Sequence, residues 1–416
     1  MATGEDAMLV NHSAPARPRE ELLTISWVGA TAWQIAYAVQ RGDATAAQVV
    51  ADHLDHARVA DRILDALRHL RAGAAIAEAE QVDEQPDLGT LPLAGVPVLV
   101  HEHMALAGLP AGGAGTGGLA PADDEIVRRL RGAGAVVLGT SRASGGTHAE
   151  GKSRSPWRTD HRCTGAAAAV GAGVVPIAVD VGGSGATYGG LVGLAAGRPG
   201  NGNRPVRANS TEPVRPVVVA TNAADAALAL AVVTGRDPVP LPVPPRLRVA
   251  VAPRPPAILV WPDAEARCSV LQVARHIVAH GHDATLVSAP RRRRLAPSDW
   301  RDRCVAFFAG DGFDALLLPA WAGRPALVDE EAFVGSWRAA GLPVLFLPSG
   351  VRRADPRHAG LPGGVLLVGP PGSDLRLLAL AGQVESAAPW QPHAPTWPRL
   401  SLDTAARWAR PPFAVR

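Results

Sequence analysis

The 416 residues carry 41 Lys+Arg against 38 Asp+Glu, a formal net charge of +3, too balanced to read as a surface built for a polyanion. With 47% hydrophobic residues the chain can bury a large core. Its longest apolar run, Ala166–Val179, is broken by glycines and Pro176 and is too short to span a bilayer.

Residues 1–24 are expected to form a mobile tail, followed by one domain over 25–416; Glu5, Asp6 and the Pro/Arg/Glu stretch do not read as a signal peptide. Helical patterning starts near Thr31 and continues over Val49–Arg58 and Asp61–Ala79. A strand is expected at Val96–Val100, then a helix at Asp124–Ala133 and a strand at Ala135–Leu138. Helix Gly165–Gly173 feeds strand Val175–Asp180. Residues 197–216 are rich in Gly, Asn, Pro and Arg. A helix over Ala223–Val233 leads into Pro238–Arg246, whose prolines make it an extended connector. Beyond it come strands at Arg248–Ala252 and Ala257–Trp261, a helix at Cys268–His280, a helix at Phe333–Ala340 and a strand at Val344–Leu347. The four arginines at 291–294 follow strand-like Ala284–Val287 and read as a solvated loop; without interleaved aromatics they are no nucleic-acid patch. Strand–helix alternation of this kind implies an α/β fold with a parallel or mixed sheet covered on both faces. Ligands of such sheets sit beyond the strand ends, where His101 and Ser184 fall.

The chemistry centres on Asp180-Val181-Gly182-Gly183-Ser184, a serine behind two glycines after an apolar strand. Such a loop brings main-chain N–H groups of Val181, Gly182 and Gly183 to a developing oxyanion, with Asp180 in support. Gly-Gly-Ser is also ordinary turn chemistry.

Four blocks around it resemble the amidase signature family: Leu93–Val100; Asp124–Thr140; Ser155–Trp157 through Ala166–Gly173 to Ser184 and Gly193-Leu194; and Phe313–Pro319 with Gly341–Pro343 and Leu361–Gly369. The resemblance implies an α/β/α sandwich with a large mixed, twisted sheet, and amide hydrolysis by a nucleophilic serine, a bridging serine and a lysine base. Ser184 matches the nucleophile. The lysine position holds His101, followed by Glu102 and His103. The bridging loop is shortened to about Arg162–Ala166 and has no serine, and Gly185–Tyr188 lack the arginine that usually follows the nucleophile.

A serine hydroxyl needs a base within reach. His101 is the substitute base, since a neutral imidazole works near pH 7, and Thr164 or Cys163 is the candidate relay. Lys152 is the only lysine in the sequence and reads as a surface charge, as His148 and His161 read as solvent-facing side chains. His101 and His103 would share a face if the strand continued, yet a third ligand is missing, so no metal and no cofactor is expected.

Three functions stay open at this point. The chain is an amidase scaffold with lost or altered hydrolysis that binds a small molecule or a partner protein; a serine hydrolase of a small amide or ester through Ser184 and His101; or a catalyst repurposed for acyl transfer. The resemblance admits a homodimer or other protein partner, with no nucleic acid and no membrane. Cys163, Cys268 and Cys304 lack metal spacing and read as free thiols in the cytoplasm.

Overall fold

Two Thr-x-x-Gln boxes start the first two helices. Thr31 caps α1 (Ala32–Arg41) and Thr45 caps α2 (Ala46–Leu64), each hydroxyl accepting from the N3 amide while the N3 glutamine bonds back to the cap. The computed structural model describes residues 26–110, 118–143, 153–181, 192–195, 216–254, 264–291, 295–320, 337–338 and 340–389. The expected tail therefore lies outside the described residues, as does the strand expected at Ala257–Trp261. Of the helix expected at Phe333–Ala340, only Trp337, Arg338 and Ala340 are described.

The expected helix over Asp61–Ala79 is in fact three elements. α2 stops because Asp65 takes a left-handed conformation (φ 48°), and the Asp61 carboxylate collects the amides of Ala66 and Leu67 at 2.7 and 2.8 Å. The chain then leaves the helix as strand β1 (Leu67–Leu70) and re-enters one as α3 (Ala72–Asp83). β1 pairs antiparallel with β3 (Val136–Ser141). That approach requires glycine at 139, where a Cβ would stand 1.9 Å from the His69 carbonyl oxygen.

β2 (Pro97–His101) is wholly buried and runs parallel to β3 on one side and to β4 (Ile177–Val181) on the other. Between these strands lie α4 (Glu125–Gly132) and α5 (Gly165–Gly171). Beyond β4 the ladder turns antiparallel through β6 (Pro216–Ala220), β5 (Val192–Ala195), β10 (Val344–Val351), β11 (Pro362–Val368) and β9 (Ala315–Pro319). It becomes parallel again through β7 (Arg248–Val251) to the edge strand β8 (Asp283–Leu286). Eleven described strands thus form one mixed sheet in the order β1-β3-β2-β4-β6-β5-β10-β11-β9-β7-β8.

Helices flank this sheet, as expected: α6 (Ala223–Thr234), α7 (Ala264–Ala279), α8 (Pro297–Asp311) and α9 (Asp374–Ala387) complete the set among the described residues. Neither β6 nor α8 was expected from the sequence. Residues 238–246 form no helix or strand, in line with their prolines. Valine, leucine and alanine side chains of the sheet and the facing helices merge into one continuous core, the arrangement that strands buried on both faces require.

Candidate active site

Parallel strands bring their C-terminal residues to one sheet end, and here that places a histidine beside an aspartate. Val100 pairs with Val179 across β2 and β4, so the next residues, His101 and Asp180, stand abreast. His101 Nε2 lies 3.4 Å from Asp180 Oδ1, and both side chains are only 4% exposed. On the other side His101 pairs with Ser141 of β3, whose hydroxyl is buried and directed to the Val100 carbonyl at 3.5 Å.

The second imidazole nitrogen is also engaged. The chain turns immediately after His101, with the Met104 amide donating to the His101 carbonyl at 2.9 Å, and the His103 amide donates to His101 Nδ1 at 3.1 Å. An acceptor Nδ1 puts the ring proton on Nε2, facing Asp180. Burial lowers the His101 pKa from its ordinary value, which outweighs the opposing pull of Asp180; His103 lowers it further and Glu102 raises it. The group is a neutral imidazole clamped between a backbone amide and a carboxylate.

Because β2 ends at His101, His103 does not share a strand face with it, as a continued strand would have required. The two rings meet edge to face instead, centroids 4.7 Å apart. Among the described residues no group of three or more His, Cys, Asp or Glu side chains is arranged to hold a metal ion. Glu102 points elsewhere, accepting from the Ala143 amide and lying 3.6 Å from Arg68 Nε.

Thr164 is the N-cap of α5, its hydroxyl accepting from the Ala167 amide at 3.1 Å. α5 is joined to β4 by a short connection and packs along it, so the two run antiparallel and the cap lies towards the His101–Asp180 end. The first helical residue, Gly165, is pressed against the backbone of Ala66 and Arg142, where a Cβ would fall 2.4 and 2.6 Å from their atoms. Cys163 is buried and its Sγ donates to the Arg154 carbonyl at 3.5 Å. Burial pushes that thiol well above its ordinary pKa, which keeps it protonated and a poor nucleophile.

Val181, expected to offer its amide to an oxyanion, already donates it to Asp180 Oδ1 at 2.7 Å. Ser184, Gly182 and Gly183 lie outside the described residues, as do Lys152 and His148. Of the residues singled out from the sequence, the structure brings together His101, Asp180 and Val181. It gives Thr164 a capping role. Sequence reasoning missed the His103 amide as a partner of His101, and no side-chain pattern could have revealed it, because the donor is main chain.

A mixed sheet of this order, flanked by helices and carrying a polar row at the ends of β2 and β4, defines an α/β protein. A family model described as Amidase matches residues 48–298, and the chain belongs to that family. It is 28% identical to the putative amidase AmiB2 of Mycobacterium tuberculosis, over 85% of this chain and 95% of the relative. In fold it is similar to a bacterial aryl acylamidase of the amidase signature family, with a TM-score of 0.74 at 19% identity over 88% of this chain and 97% of that one. It is also similar to 6-aminohexanoate cyclic dimer hydrolase, with a TM-score of 0.70 at 21% identity over 88% and 98% of the two chains.

Proposed function

We propose that this protein uses the amidase scaffold to bind a small amide- or ester-like ligand and does not hydrolyse it by the Ser-Ser-Lys route. The observation that carries this reading is the state of His101. Its Nδ1 lone pair is taken by the His103 amide and its Nε2 faces Asp180, so no lone pair is left to accept a serine proton. A base must expose one to its nucleophile. The resemblance implies that His101 stands at the lysine position, and the 162–166 segment has no serine. Engagement of the Val181 amide by Asp180 removes one of the three expected oxyanion donors.

A second reading is favoured by one feature of the same pair. A buried neutral imidazole next to a carboxylate is the base-and-orienter half of a Ser-His-Asp arrangement, and rotation of the ring away from the His103 amide would free a nitrogen for Ser184. Reaction of the purified protein with a fluorophosphonate probe, read by intact mass, separates the two. The first reading expects wild type, Ser184→Ala and His101→Ala all to stay unlabelled while amide ligands still raise the melting temperature of wild type. Labelling of wild type that is lost in both variants overturns it and establishes the second.

A further inference from the structure

Away from the His101–Asp180 pair, two segments distant in sequence are buttoned together by one arginine and two histidines. Arg158 lies in the segment 153–163 that runs into the Thr164 cap. Its Nη1 donates to the carbonyls of Pro356, Arg357 and Ala359, at 3.5, 3.0 and 2.9 Å, in the turn between β10 and β11. Asp160 orients the same guanidinium through its Nε and Nη2. Beside it the rings of His161 and His358 lie 5.8 Å apart between centroids, and His358 Nδ1 is 2.9 Å from Asp355 Oδ2.

Both segments are otherwise well defined. In 153–163 the Ser155 amide donates to the His161 carbonyl and the Cys163 amide to the Ser153 carbonyl. The turn is closed by Arg352 and Leu361 and is tethered at its far side, where Glu265 in the first turn of α7 accepts from the Arg353 and Ala354 amides at 2.7 and 3.2 Å. The Arg158–His161–His358 contact is therefore a junction between two ordered pieces.

We propose that this junction is a pH-operated clasp: Arg158 holds the 352–361 turn onto the segment leading to α5 while His161 is neutral, and protonation of His161, beside the Arg158 guanidinium and the His358 ring, releases it in mild acid. The charged groups facing His161 are Arg158 and Asp160 on its own segment, and His358, Asp355 and Arg357 on the turn. The two carboxylates are already committed, Asp160 to Arg158 and Asp355 to His358 and Arg357. A proton arriving on His161 thus meets Arg158 and a second imidazole at close range, with Asp160 3.9 Å away as its nearest counter-charge.

The electrostatics agree in sign. Burial, then Arg158, and more weakly His358 lower the His161 pKa, and Asp160 and a hydrogen bond to the Arg357 backbone only partly oppose them. A histidine whose pKa is depressed in the closed state binds its proton better in the open one, so closure is favoured above its ordinary value of about 6.5 and is lost as pH falls below it. Asp355 is held down to about 2, first by His358 and then by the Arg357 amide, so it stays charged across this interval.

Hydrogen exchange of the full-length protein, read by mass spectrometry on peptides covering 153–163 and 352–361 and corrected for intrinsic rates, tests the clasp. In wild type the turn should exchange about tenfold faster at about pH 5.5 than at about pH 7.5. His161→Gln, which cannot gain the charge, should remove that difference, and Arg158→Ala should give fast exchange at both pH values. Equal protection of the wild-type turn at the two pH values, or a full pH response retained in His161→Gln, overturns the proposal. Peptides from β2 and β3 serve as the internal measure that each variant is folded.

Discussion

His101 shows how little separates a base from a structural imidazole. Its residue type suits proton transfer, and what decides its role is which lone pair the neighbours leave open. Desolvation keeps it neutral and Asp180 opposes that effect, so Asp180→Asn should move its titration further into acid; an NMR pH titration of the imidazole checks this, and an unchanged midpoint would show that the 3.4 Å approach has no electrostatic weight. Because its folded pKa is depressed, the contribution of His101 to stability is lost as pH falls through the interval below about 6.5. The identity of this residue and its place at a strand end were legible in Pro97-Val98-Leu99-Val100, and so was Asp180 at the end of the next apolar run. The bond from the His103 amide was not, since nothing in a side-chain pattern encodes where a backbone N–H points.

At the scale of elements, α5 is the piece on which the site end of the sheet depends. It has seven residues, too few for much intrinsic helicity, and it is held by the Thr164 cap and by packing of alanines against the sheet. Thr164→Ala should cost about 1 kcal/mol of stability while Thr164→Ser costs little, as read by urea unfolding. Equal loss in both variants would mean that the hydroxyl bond is not the stabilising contact. Elements with clear periodicity were legible: α1, α4, α6 and the strands β2, β3, β4, β7 and β10. β1 was not, because four residues, Leu67–Leu70, sit between two helical patterns, and the break depends on the Asp61 carboxylate recruiting two amides. α8 was not either, because among its described side chains only Trp300, Cys304 and Phe308 are buried, set among exposed charges.

For the whole molecule, two carboxylates stand out where α1, α6 and α9 meet, Asp225 buried and Glu385 half-buried. Asp225 accepts from the amides of Ala32 and Trp33, and Glu385 from that of Ala223. Burial raises Asp225 to about 6 and Glu385 to about 7, the latter with a further push from Asp225. Folded-state values above the ordinary carboxylate range mean that this contribution to stability is complete in acid and is lost as pH rises through about 7. Glu385→Gln keeps an acceptor without the charge, so at about pH 8 its melting temperature should exceed that of wild type by about 3 °C and its decline between about pH 5 and pH 8 should be shallower. Identical pH profiles would show that Glu385 ionises at no cost. No pattern in the sequence marks Asp225 or Glu385, because a carboxylate inside an Ala/Leu-rich helix has the same spacing whether it faces solvent or the core.

The strand order also divides the sheet along the chain. Strands β1 to β6 occupy one side and β7 to β11 the other, and the two sides join through three residue pairs, Val344–Ala195, Leu345–Leu194 and Phe346–Gly193, reinforced where α9 packs on α6 and Glu385 reaches Ala223. During synthesis the first side can pair its strands before the second has left the ribosome, whereas the seam must wait for residues 344–346 and α9. Until then β5 remains an open edge, so the vulnerable species in biogenesis is a half-finished sheet whose exposed margin lies at residues 192–195.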